Sequence, residues 1–347
     1  MTVRDEVLAV RSSAVLAAGD HIACARVRGR DAQEAVDLVS PRELFVRPGQ
    51  MLHTLLLDDA ARPVADVYVC CDEDDYLIVA EGPGGPDLAR YLADRAGGLD
   101  VEIDDLSRSH AFVSLAGPYA WEVLAEVASP DVIGLPYLGF YHEGRFTCFR
   151  AGKTGEYGYD LMVERDRLAG VVETIRAAGR RFDLRTASLE ALDLCALESW
   201  FFNVRREARD GLTPIELQLQ WRVSYGRAFT GADALAARRH QATRRAVLIA
   251  AGDEMAEDAP VFHCGREVGR TLHTGPSHTR GDWLGVALLD RALAHAEVTG
   301  FVSRGPAGDV AVRTLSAPAV NNRSLFVDPQ RHSYLTREDD EFPPLVR

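Results

Sequence analysis

Leu55-Leu56-Leu57-Asp58-Asp59-Ala60-Ala61-Arg62-Pro63-Val64-Ala65-Asp66-Val67-Tyr68-Val69 reads as strand, turn, strand. The polar turn and Arg62-Pro63 separate two apolar runs, and the second run is rich in β-branched residues. Asp66 is the anomaly, because Asp is depleted in such strands. If Val64 faces the core, Asp66 faces it too, since side chains alternate along a strand. A carboxylate there requires a partner or a ligand. The alternative is a short edge strand with Asp66 on its wet face.

Working outward, Tyr76 to Val79 adds a further strand, and Gly82-Pro83-Gly84-Gly85-Pro86 stops it before a helix from 87 to 96. Towards the N-terminus, residues 4–17 read as a helix and His21 to Val27 as a strand. Asp31 is placed to cap a helix from Ala32 to Val39. A second round of strands and helices follows. Strand Ala111 to Ala116 leads through Gly117-Pro118 into a helix over 119–128. The region 139–163 is strand-rich, and Leu168 to Ala178 and Ala187 to Trp200 carry helical periodicity. Two similar α+β units are expected. Beyond Ala237-Arg238-Arg239-His240-Gln241, short strands at 246–250, 260–262, 268–272, 284–289 and 296–302 alternate with Gly and Pro, which predicts a small β-barrel. The expected division is 1–236 for the α+β core and 242–347 for the barrel, ending in a solvated acidic tail at 338–344.

The 347 residues carry a formal charge of −13, which argues against a nucleic-acid partner. The six cysteines form no CxxC pair and the histidines show no HExxH spacing, so neither metal nor disulfides are expected. The N-terminus lacks an apolar run, and nothing approaches about 18 consecutive apolar residues, so the expectation is a cytoplasmic protein without signal peptide or membrane span. Of 39 basic residues only Lys153 is a lysine. Gly152-Lys153-Thr154 resembles the end of a phosphate-binding loop, but the required earlier glycine is Thr147, so no nucleotide is inferred. Between Arg150 and Asp160, three glycines in seven residues allow a tight turn or close approach to a flat ligand.

Several segments, in order, resemble the aminomethyltransferase (glycine-cleavage T-protein) family. They are Pro48-Gly49-Gln50 with His53-Thr54-Leu55-Leu56-Leu57, Val64-Ala65-Asp66-Val67, Leu115-Ala116-Gly117-Pro118, and Arg150-x-Gly152-x-Thr154-Gly155-Glu156-x-Gly158. Leu197-Glu198, Thr213-Pro214-Ile215-Glu216 with Trp221, Phe229-Thr230-Gly231-Ala232-Asp233-Ala234-Leu235, and Gly269 with Gly275-Pro276-Ser277 continue the series. The resemblance implies an α+β fold in a three-domain ring, two α+β units plus a C-terminal β-barrel, around a tetrahydrofolate site. It implies Asp66 as the catalytic carboxylate and Asp160, Trp221, Arg150 and Glu81 on the cofactor side, with Arg150 also shaping its loop. His53, Lys153 and Trp200 fall on the substrate side.

Departures from the family pattern cluster at Ala65, Lys153, Glu81, Leu192 and Trp200 to Arg206, where substrate-facing residues are expected. The expected function is therefore tetrahydrofolate-dependent one-carbon transfer on a small substrate in specialised metabolism. Two alternatives stand beside it. One is a glycine-cleavage enzyme using a lipoyl carrier protein, docked through a basic face such as Arg205-Arg206. The other is a non-enzymatic folate-binding assembly factor.

Overall fold

The structure, a computed structural model, describes residues 1–346. A five-stranded antiparallel sheet runs Met51–Leu57, Pro63–Asp72, Asp75–Glu81, Ile22–Arg28, Glu102–Asp105. Its strand Pro63–Asp72 is paired on both sides, which removes the edge-strand alternative for Asp66. Leu56 lies opposite Ala65 and Leu57 opposite Pro63, so the register shifts around Val64. Ala65, Val67, Val69 and Cys71 pack with helices Ala32–Val39 and Gly85–Arg95. Tyr68 and Cys70, on the face that carries Asp66, turn the other way.

That other face meets a six-stranded sheet ordered Arg185–Ala187, Val15–Ala18, His110–Ala116, Gly158–Glu164, Phe146–Phe149, Phe140–Glu143. Cys24, Tyr68, Cys70, Leu77 and Val79 interlock there with Phe112, Phe140, Phe149 and Met162. Each fully buried Leu, Val, Phe or Met among them contributes about 1.5–3 kcal/mol. Helices Ala120–Ala125 and Leu168–Gly179 cover the outer face. The third unit is a closed barrel ordered Arg244–Ala251, Asp282–Asp290, Arg266–Ser277, Pro260–His263, Phe301–Gly305, Gly308–Thr314. The two expected α+β units and the barrel are thus present.

Four local expectations are corrected. The first helix ends at Ser12, and Val15–Ala18 is a strand, because Ala14 to Ala17 are buried as a continuous run between two neighbouring strands. Asp31 makes no side-chain cap; its carboxylate accepts the backbone N–H of Asp100 at 2.9 Å. Strand pairing near residue 300 begins only at Phe301, after Gly300 turns with φ +85°. The barrel ends at Thr314, and the chain then returns to the unit built on the six-stranded sheet. There Tyr334 packs edge-on against Tyr119 at 5.6 Å, and Val327 and Phe342 join the same core. The acidic tail is therefore docked through its aromatic residues, while Glu338, Asp339 and Glu341 stay exposed. No helix among the described residues is long and apolar enough to cross a membrane.

Candidate active site

The register of the two sheets creates two cross-strand pairs beside one cleft. On the five-stranded sheet, Asp66 stands directly opposite Glu81. Like charges in that position repel, and a cation is needed between them. Lys153 supplies it: its Nζ lies 2.8 Å from Asp66 Oδ2 and 2.8 Å from Glu81 Oε1. Asp66 Oδ1 accepts from His53 Nε2 at 2.8 Å and from Arg222 at 2.7 Å. His53 in turn lies over Tyr68, with ring centroids 4.5 Å apart. Asp66 is 3% exposed. Burial pushes its carboxyl up, but Arg222, Lys153 and His53 outweigh that and hold it well below the ordinary value. Burial holds His53 down, towards neutral imidazole. Burial also opposes the Lys153 charge, yet Asp66 and Glu81 raise it overall, so the ammonium persists at neutral pH.

On the six-stranded sheet, Asp160 stands opposite Ser114, whose hydroxyl donates to Asp160 Oδ1 at 2.5 Å. Burial drives the Asp160 carboxyl up to about 7, with Ser114 opposing the shift and Glu81 adding to it. Both sheets border one cleft enclosing about 610 Å³ of space, mouth included. Tyr68, Glu81, Ser114, Lys153, Asp160 and Arg205 are among its lining residues. His21 contributes a buried Nδ1 that has no hydrogen-bond partner among the described residues. Among the described residues, no group of His, Cys, Asp and Glu is arranged to hold a metal.

The raised Asp160 carboxyl has a consequence for stability. The fold favours its protonated form, so its contribution is full below the ordinary value of 3.8 and is lost as pH rises through about 7. Asp160→Asn, neutral throughout, is expected to match wild type near pH 4 and to exceed it in Tm above pH 7. Thermal melts across that range check this; wild type equal to or above the variant at pH 8 contradicts it.

Of the sequence-derived site residues, Glu81, Lys153 and Asp160 line the cleft, Asp66 and His53 lie behind Lys153, and three others lie elsewhere. Arg150 is held between the rings of Tyr157 and Tyr159, 4.6 and 4.7 Å from their centroids, and donates to the Gly158 carbonyl. It fixes its loop and does not line the cleft. Trp221 is 59% exposed and outside the cleft, its ring under the Arg222 guanidinium. Trp200 follows the helix end with φ +62° and lines a separate apolar pocket with Leu217 and Leu219. The loop glycines also divide in role. Gly152 and Gly158 border the cleft, whereas a side chain at Gly155 would strike Asn322 and Ser199.

The residue that sequence reasoning missed most completely is Arg11, which is 1% exposed. Its guanidinium contacts Glu156 at 3.1 Å, Glu198 at 2.8 Å, the Thr154 and Cys195 carbonyls, and Asn322. Glu198 also accepts from Ser277 and Thr279, and Glu156 from Ser324. One buried arginine thus joins the glycine loop, the helix Leu189–Glu198, the barrel and the returning tail. The only local signal was a charged residue beside Val7 and Val10 on the buried face of its helix. Arg222 was missed because its neighbour Trp221 carried the motif. Arg205 pairs with Asp193 beside the cleft and Arg206 with Glu257, so this pair is not a free basic face.

Comparison with known proteins places this geometry. Residues 1–227 match the family model described as GCVT N-terminal domain. The chain is 25% identical over 312 residues to an aminomethyltransferase of Thermotoga maritima, covering 88% of this chain and 86% of that one. It is 27% identical over 301 residues to an aminomethyltransferase of Saccharopolyspora erythraea, covering 83% and 82%. The fold matches the crystal structure of glycine cleavage system aminomethyltransferase T from Bartonella henselae with a TM-score of 0.81, at 21% identity, over 92% of this chain and 90% of that one. With the family model spanning well over half of the sequence, the chain belongs to the aminomethyltransferase family.

Proposed function

We propose that this chain is a cytoplasmic, tetrahydrofolate-dependent one-carbon transferase acting on a small donor molecule, in a specialised rather than a housekeeping role. The observation that carries this reading is the presence of two different carboxyl groups at one cleft, Asp160 lining it and Asp66 lying behind the lining residue Lys153. Asp160 titrates near neutrality, whereas Asp66 stays ionised, and groups pushed apart in this way take different tasks.

The residues fit the cofactor. Asp160, half-satisfied by Ser114, offers an acceptor for the amino and ring N–H groups of a pterin. His21 Nδ1 and Glu81 add polar contacts along the same wall. Tetrahydrofolate, when bound, supplies the nitrogen that takes up the carbon. Asp66 is too acidic to serve as a proton acceptor near neutral pH. Its role is electrostatic and positional: a fixed charge that holds Lys153 at the edge of the cleft. His53 and Arg222 hold its Oδ1 so that no reorganisation is needed.

The glycine-cleavage reading draws on the names of the relatives. Arg205 and Arg206 are each paired within the chain, Arg206 with Glu257 at the surface, so a carrier protein docking on that pair would compete with those carboxylates. Incubation with tetrahydrofolate and a panel of methylated donors, followed by mass spectrometry, tests the proposal. A folate product heavier by one carbon unit is expected. Folate binding without product from any donor class would instead indicate a binding protein.

A further inference from the structure

The chain's single lysine, among 39 basic residues, sits at Asp66. Everywhere else arginine fills the cationic role. A guanidinium presents a planar fork, whereas an ammonium is a compact point charge with three donors. Here the ammonium places one charge between two single carboxylate oxygens, each 2.8 Å away.

Around it the permanently charged groups balance, Asp160 being the further carboxyl of the cleft, ionising near pH 7. Lys153, Arg205 and Arg222 face Asp66, Glu81 and Asp193. Arg222 lies 2.7 Å from Asp66, and Arg205 pairs with Asp193 with Glu81 at 4.0 Å. Asp66 Oδ1 accepts from two donors, and Oδ2 is in ion-pair contact with the ammonium. A substrate cation could reach Asp66 only by displacing Lys153. The tethered ammonium has the advantage of effective concentration. Once displaced it would be a second positive charge in the same weakly solvated cleft, since its side chain is only 12% exposed.

We propose that Lys153 stands in the place of a substrate cation, so that the cleft accepts a one-carbon donor uncharged at the atom bearing the carbon, a methyl ether or thioether, and rejects alkylammonium and amidinium donors. This choice of donor rests on the transferase reading above.

Calorimetric titration of the full chain with ethylammonium chloride, and with 1-propanol as a neutral compound of similar size, is the test. Wild type is expected to give no saturable ethylammonium binding. Lys153→Met vacates two carboxylates and is expected to bind ethylammonium about 10–100-fold more tightly than 1-propanol, the range of a charge-assisted hydrogen bond. Wild type binding ethylammonium as tightly as the variant, or a folded variant without the preference, overturns the proposal. Should Lys153→Met fail to fold, wild type alone decides it. Ethyl methyl sulfide is expected to bind at least about tenfold more tightly than N-methylethylammonium, by the same charge argument. Equal or reversed affinities overturn it. Both arms run without tetrahydrofolate, so a failure of folate binding sinks the transferase reading and leaves this outcome separately readable.

Discussion

Arg11→Met is expected to lower stability by about 3–5 kcal/mol, the usual loss when one partner of a buried ion pair is removed. The guanidinium is fully enclosed, and both its carboxylate partners, Glu156 and Glu198, are buried with it. Methionine fills part of the volume but leaves those two charges without a cation. Their remaining hydrogen bonds, from Ser324, Ser277 and Thr279, soften the loss without removing it. Adding Glu156→Gln and Glu198→Gln to Arg11→Met is expected to recover part of the stability, because the stranded charges disappear. Denaturant unfolding followed by near-ultraviolet circular dichroism measures both effects. A loss under about 1 kcal/mol for Arg11→Met, the scale of an exposed pair, would mean that this junction does not hold the three units together.

Asp66→Asn is expected to be the other severe change, in two ways. Arg222 is buried, and Asp66 is its ion-pair partner, so the neutral variant leaves an uncompensated guanidinium. Lys153 keeps Glu81 and suffers less. A destabilisation of about 3 kcal/mol follows from the same rule, at its lower end because asparagine keeps one acceptor oxygen. The pH dependence has a definite sign. The folded-state value of Asp66 is depressed, so its contribution is present above the ordinary value of 3.8 and is lost as pH falls through the folded value. The gap between wild type and Asp66→Asn should therefore be constant near neutrality and narrow below pH 4. On the proposed function, transfer also falls by about 10²–10³-fold, the usual effect of removing one preorganised electrostatic group. A variant as stable as wild type, or one that retains full transfer, would contradict the role assigned to Asp66.

The elements legible in the sequence were those defined by local pattern. Alternation and turn residues marked the hairpin around Pro63 and the barrel strands, and an aspartate in an apolar strand marked Asp66. What stayed hidden depended on partners far apart in the chain. Glu156, Glu198 and Ser277 each appear in a recognisable segment, yet their common role depends on Arg11, and Asn322 joins that hub from 311 residues beyond Arg11. Nothing local announces such a meeting. Lys153 was placed on the substrate side as a departure from the family pattern, but its partners stayed unread, because they are set by the Asp66–Glu81 register. Arg222 and Trp221 show the finest ambiguity. Adjacent residues point apart, and the charged one reaches the site while the aromatic one lies at the surface.

The most direct test of the central claim is calorimetric titration of wild type and Asp160→Ala with tetrahydrofolate at neutral pH. Saturable binding by wild type, weakened at least about tenfold in Asp160→Ala as expected for loss of a charge-assisted hydrogen bond, is the predicted result. No binding by wild type, or equal binding by both proteins, would contradict the placement of the cofactor in this cleft.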